Sequence, residues 1–195
     1  MEIIPLGATC SIAYQLKSHN LREKSYPFDW VRINNLNNVT NLLKNNFYTF
    51  LDQDKYDFKL ISNDFEINGK MLSYIYANGY CKFYHDFDNY ISSETFEIFS
   101  IKYQRRINRL METIKNSEKI LFIREEIGNL NIDKIRKFSN TINNINPKLN
   151  WKMKIIVNKK KYEEFKFENI EIIFSDQKVI NWKRPELDWS KIFTY

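Results

Sequence analysis

The chain has 195 residues, 43% of them hydrophobic and 16% aromatic, a supply that fills one core and falls short of two full-sized domains. Such a content excludes a disordered chain, and no apolar run approaches the roughly 18 residues of a membrane-spanning helix. Lys and Arg number 30 against 24 Asp and Glu, a formal charge of +6. That excess comes with a wealth of Lys, Asn, Ile, Phe and Tyr, the residues of AT-rich codons. No RRM, KH, zinc-finger or helix-turn-helix signature accompanies it, so nucleic acid is not the expected partner.

The opening residues MEIIPLG carry no basic segment followed by an apolar stretch, so no signal peptide is read there and the expected location is cytoplasmic. Residues 2–7 suit a buried strand with a tight exit at Gly7. The spacing of Ile12, Ala13, Leu16 and Leu21 then predicts a helix, with Thr9 or Ser11 as its cap. Residues 25–33, SYPFDWVRI, hold Pro27 and favour an extended, turn-like path. Val39, Leu42, Leu43, Phe47 and Phe50 predict a helix from about Asn37 to Leu51.

Residues 55–90 are strand-like, and the Asn-Gly pairs in NGK (68–70) and NGY (78–80) predict antiparallel hairpins ending in YCKFYHDF. A long amphipathic helix is expected over 94–117. After it come the apolar strand KILFIREE, a helix near 131–145, the strand WKMKIIVNK, and a third strand IEIIFSD. This alternation of helix and short apolar strand predicts a single α/β domain over residues 1–195: a mostly parallel sheet with flanking helices plus an antiparallel hairpin insertion.

In open α/β sheets, ligands gather beyond the carboxyl ends of the strands. Here those ends bring Gly7–Cys10, Arg124–Glu126, Asn158–Lys160 and Ser175–Asp176 to one edge. A cysteine at a helix start meets unpaired backbone N–H groups and the positive end of the helix dipole, which favour thiolate and offer an oxyanion hole. The plainer alternative is a small apolar residue packed at the strand–helix junction. His85 is the natural base, because His19 on the same helix lies about 13 Å from Cys10 at ~1.5 Å rise per residue. Asp86 and Asp88 follow His85, and either is a candidate to orient its imidazole. Arg124 closes a buried strand, where its fork of donors suits phosphate or carboxylate. Cys10 and Cys81 form no CxxC, and the two Cys and two His are too scattered for a zinc site, so no cofactor or metal is assigned.

The run LGATCSIAYQLKSHNLREKSYPFDWV, the segment ending in FYHDF, the helix KYQRRINRL and the strand LFIRE together resemble one family. It is a domain family of unknown function described as papain-like cysteine peptidases, found in bacteria and large DNA viruses. The resemblance runs from about residue 4 to residue 126. It implies Cys10 as nucleophile, His85 as base and Asp86 or Asp88 as the orienting acid. The same motifs offer Gly7, Ser25, Asp29, Trp30 and Arg124 as residues that line or hold substrate. The parallel sheet expected here departs from a papain-like architecture, in which the nucleophile's helix packs on an antiparallel sheet.

Three functions therefore stand side by side. The first is a cysteine-dependent hydrolase or acyl transferase acting on a peptide, acyl or glycan substrate. In the second, a sugar- or nucleotide-handling enzyme of glycan assembly binds a phosphorylated donor at Arg124, and Cys10 merely packs. The third is a binding domain without turnover.

Overall fold

The computed structural model describes residues 1–48, 50–51, 59–67, 70–162 and 167–195. Among the described residues, eight strands form two four-stranded sheets. In the first, β1 (Glu2–Pro5), β6 (Lys119–Glu125), β7 (Asn150–Val157) and β8 (Ile170–Phe174) lie side by side in that order, all parallel. In the second, the order is β2 (Val31–Arg32), β5 (Lys82–Phe83), β4 (Lys70–Ala77) and β3 (Lys59–Ile67), all antiparallel.

The parallel sheet is covered on both faces, as its unbroken apolar strands require. Ile120 and Phe122 point into a large core shared with α2 (Leu36–Lys44), α3 (Ser93–Asn116) and α4 (Ile132–Ile145). Their neighbours Leu121 and Ile123 point the other way, into a smaller core with α1 (Ser11–Ser18) and α5 (Trp189–Ile192). The strand period of two thus divides one run, ILFI, between two cores. The helices start where capping chemistry allows. Ser92 and Thr95 close a capping box at α3, and Asn131 and Asn35 cap α4 and α2.

The mostly parallel sheet with flanking helices is as the sequence predicts. The antiparallel part is larger than a hairpin, because the short strands β2 and β5 extend it to four. Asn78 makes the turn into β5 by accepting the N–H groups of Tyr80 and Cys81, each at 2.9 Å. Asn68 and Gly69, where the other hairpin turn is expected, lie outside the described residues. The second helix stops at Lys44, seven residues short of expectation. There the Asn46 N–H bonds to Leu43 O at 3.2 Å and the Phe47 N–H to Leu42 O at 2.8 Å, with Asn46 at φ +50°. This is a Schellman closure on Asn, which outweighs the helical spacing of the apolar residues beyond it. Phe47 and Phe50 are buried all the same, because the turn folds them back onto the core.

Candidate functional site

The turn out of β1 is compressed. Gly7 and Ala8 both take positive φ, +69° and +73°, and a Cβ on Gly7 would come within 3.2 Å of the Ile33 side chain. The chain is thereby swung so that Cys10 becomes the residue capping the start of α1, and no side chain caps that helix. Thr9 and Ser11 do something else. Their hydroxyls, on either side of Cys10, both donate to Oε2 of Glu125 at the end of β6, at 2.9 and 3.0 Å. The other oxygen of Glu125 is met by the guanidinium of Arg184. Arg184 also pairs with Glu186, and its carbonyl accepts the indole N–H of Trp189 at 2.7 Å. One carboxylate therefore clamps the cysteine loop from both sides and is neutralised by a cation from the end of the chain.

Cys10 is partly buried and its thiol is free. Its Sγ lies 3.7 Å from Nε2 of His85, just past the end of β5, so the two groups expected to pair are brought together. Burial of the sulfur, with the Asp86 carboxylate beside it, pushes the Cys10 thiol up to about 12; Arg32 pulls the other way and Asp29 adds to the push. Burial also lowers the His85 imidazole below its ordinary value, while Asp86 opposes that shift. The resting pair is accordingly a neutral thiol against a neutral imidazole.

The SYPFDW segment supports the imidazole. The Trp30 ring packs edge-on against the His85 ring, with centroids 5.7 Å apart and planes at 81°. The Arg22 guanidinium lies over Trp30, 5.6 Å from the ring centroid, and is itself fixed by Asp29 at 2.6 Å. Asp29 is 1% exposed and also accepts the Tyr26 N–H at 3.1 Å. Burial raises its carboxyl above the ordinary range, against the pull of Arg22. Ser25 joins the group by accepting from Arg22 at 2.9 Å.

Asp86 is close to the pair without bonding to His85. Its two oxygens accept from Lys102 Nζ at 2.6 Å and the Tyr103 hydroxyl at 2.9 Å. Asp88 is exposed. Arg124 is fully buried, and its fork is turned inward. It donates to Leu6 O and Ile33 O, each at 3.0 Å, and to Glu126 at 2.9 Å. The guanidinium so ties the end of β1 to the end of β2, and every nitrogen of the fork is occupied. His19 sits at the far end of α1, its Nδ1 2.9 Å from Gln15 O.

The clamp of Glu125 and Arg184 carries no local sequence signature. A carboxylate after a buried strand is legible at the sheet edge, whereas its cation lies 59 positions further on. Among the described residues no group of three or more His, Cys, Asp or Glu side chains is placed to hold a metal ion, and no helix is long and apolar enough to cross a membrane.

The fold and the site define a mixed α/β protein with a thiol–imidazole pair at the carboxyl edge of its parallel sheet. The chain belongs to the family described as "Putative papain-like cysteine peptidase (DUF1796)", whose model matches residues 1–161. It is 30% identical to an uncharacterised protein of Acanthamoeba polyphaga mimivirus over 220 aligned positions, covering 97% of this chain and 95% of the viral one. No solved structure matches it.

Proposed function

We propose that the protein is a cysteine-dependent hydrolase or acyl transferase, with Cys10 as nucleophile and His85 as general base. The observation that carries this reading is the 3.7 Å approach of Sγ to Nε2, within reach for a pair that tightens when substrate binds. In the first half-reaction Sγ attacks the carbonyl carbon of an acyl donor as His85 takes the thiol proton. The oxyanion meets the first backbone N–H groups of α1, which no side chain caps. Collapse expels an amine or alcohol, which leaves with the proton from His85 and a thioester on Cys10. Water, or another nucleophile, then attacks the thioester and gives its proton to His85; the C–S bond breaks, the acid or new acyl product leaves, and His85 returns the proton to the sulfur.

Because thiol and imidazole both rest neutral, proton transfer accompanies attack instead of preceding it. The nearby Asp86 carboxylate favours the imidazolium formed on the way, while Trp30 holds the ring. In this reading Asp86 acts by charge and Trp30 by contact, and Asp29 and Ser25 act through Arg22. Gly7 shapes the turn, and Arg124 fixes the two strand ends against each other.

The test is alkylation of the purified protein by iodoacetamide across pH, with and without His85→Ala. Cys10 should be labelled ahead of Cys81, which is 3% exposed. Loss of His85 should slow Cys10 at neutral pH by about tenfold or more. Equal rates in the two proteins would mean that no nucleophile–base pair exists, leaving an enzyme of glycan assembly in which Cys10 merely packs, or a binding domain without turnover.

A further inference from the structure

The charges around Cys10 do not cancel. Each acid near the sulfur has a cation of its own: Asp29 pairs with Arg22 at 2.6 Å and Asp86 with Lys102 at 2.6 Å. Arg32 and Lys82 pair with no acid among the described residues, and they are neighbours. Arg32 on β2 stands directly opposite Lys82 on β5 in the antiparallel register, so their side chains share one face of the sheet. The pair before them, Val31 and Phe83, is fully buried, which puts Arg32 and Lys82 on the outer face, the first exposed and the second half-exposed. Like charges set opposite each other across two strands repel, and that costs stability unless an anion shares them.

Both residues neighbour the reacting groups along the chain. Lys82 is three residues before His85, and Ile33, next to Arg32, packs against Gly7 in the cysteine turn. Arg32 is near enough to the thiol to oppose the upward push on its pKa. Asn34 accepts from Arg32 Nε at 3.2 Å, which fixes the guanidinium and leaves its two terminal nitrogens for a pair of oxygens. The row continues across the sheet through Ala77, the partner of Lys82 on β4, to Lys59 on β3.

We infer that Arg32 and Lys82 form an anion-binding subsite beside Cys10, and that the substrate carries a carboxylate or phosphate within a few bonds of its reacting carbonyl. The inference rests on the proposed reaction for its meaning, since it names the class of acyl donor. The subsite itself is a property of the two cations and is measurable apart from turnover.

Two alkylating reagents of nearly equal size read it directly. Iodoacetate is an anion and iodoacetamide is neutral; with either one the cysteine sulfur forms a bond to carbon and iodide leaves. Since both consume the same thiolate, the ratio of their rates is insensitive to the thiol's own pKa. Normalised to the ratio for free cysteine at low ionic strength, the wild-type ratio should favour iodoacetate. In Arg32→Gln/Lys82→Gln it should fall about three- to tenfold, the effect of removing two partly screened positive charges from beside the thiolate. Added salt should produce a similar fall. Arg105→Gln, which removes an exposed cation on α3, should leave the ratio unchanged. A double variant that keeps the wild-type ratio overturns the subsite.

Protection of Cys10 from iodoacetamide by inorganic phosphate or by succinate then separates the two sources of negative charge. Protection by either one, lost in the double variant, supports the subsite and shows which group it prefers. Protection by neither overturns it. A His85→Ala protein with unchanged neutral-pH alkylation would sink the proposed reaction while leaving this ratio to be judged on its own.

Discussion

Replacing Arg184 with Met is the sharpest test of how the cysteine loop is held. The side chains of Arg184 and Glu125 are only 10% and 7% exposed, so solvent does little to screen their pairing. Glu125 also carries the Thr9 and Ser11 hydroxyls on its other oxygen. Removing the guanidinium leaves the buried Glu125 carboxylate with hydroxyl partners and no countercharge, and takes the partner of Glu186 as well, a change that typically costs about 3–5 kcal/mol. For a chain of this size each kcal/mol lowers Tm by roughly 2–4 °C, so Arg184→Met should melt about 6–20 °C below wild type. Adding Glu125→Gln should recover about half of that loss, because the amide oxygen still accepts from Thr9 and Ser11 while the stranded charge is gone. Thermal unfolding followed by circular dichroism, with urea titration as a second measure, reads both variants. A single variant within about 1 kcal/mol of wild type would refute the reasoning. So would a double variant as unstable as the sum of the two single changes.

Three further outcomes follow from the site. Gly7→Ala must place a methyl at φ +69°, 3.2 Å from Ile33; it should cost about 1–3 kcal/mol and slow Cys10 alkylation, seen by urea titration and by labelling rate. Trp30→Ala removes the ring that packs on His85 and should lower kcat about tenfold or more on any thioester or activated ester the protein turns over. A wild-type rate in Trp30→Ala would show that the imidazole is held by other means. The pH profile should have its acid limb below the ordinary imidazole value of about 6.5, since burial lowers His85 and its neutral form is the base. Activity is then kept through pH 6.5 and is lost as His85 takes up a proton at lower pH. An acid limb above 7 would contradict an imidazole that rests neutral.

The backbone plan was legible because its signals are local. The apolar runs at 120–123 and 155–157, the Asn-Gly at 78–79 and the long amphipathic stretch before Lys119 each state an element within a few residues. Cys10 at a helix start was readable from Gly7 and the spacing of Ile12, Ala13 and Leu16. Its meeting with His85, 75 positions away, was reached by setting His19 aside on distance and by the family resemblance. Roles that depend on what lies across the fold were beyond the reach of pattern. Thr9 and Ser11 look like caps, yet a buried carboxylate from another strand competes for their hydroxyls and wins. Arg124 looks like a ligand's partner because it ends a strand at the open edge. The residue just after β2 reaches that edge, and two backbone carbonyls with Glu126 take the arginine's donors. Nothing near Arg184 in the sequence announces its carboxylate, since the pairing exists only once the end of the chain has folded over α1.

The two members of the reactive pair belong to different sheets. Cys10 hangs from the end of the parallel sheet's first strand, and His85 from the end of a two-residue strand in the antiparallel one. Their separation is therefore a gauge of how the sheets sit against each other, with Arg124 as the rivet through Leu6 O and Ile33 O. A slip of an ångström or two along that seam opens the gap while leaving every helix and ladder bond intact. On gentle warming, or in mild denaturant, chemistry should fail well before the far-ultraviolet signal moves. Two molecules with identical secondary structure can thus differ completely in reactivity.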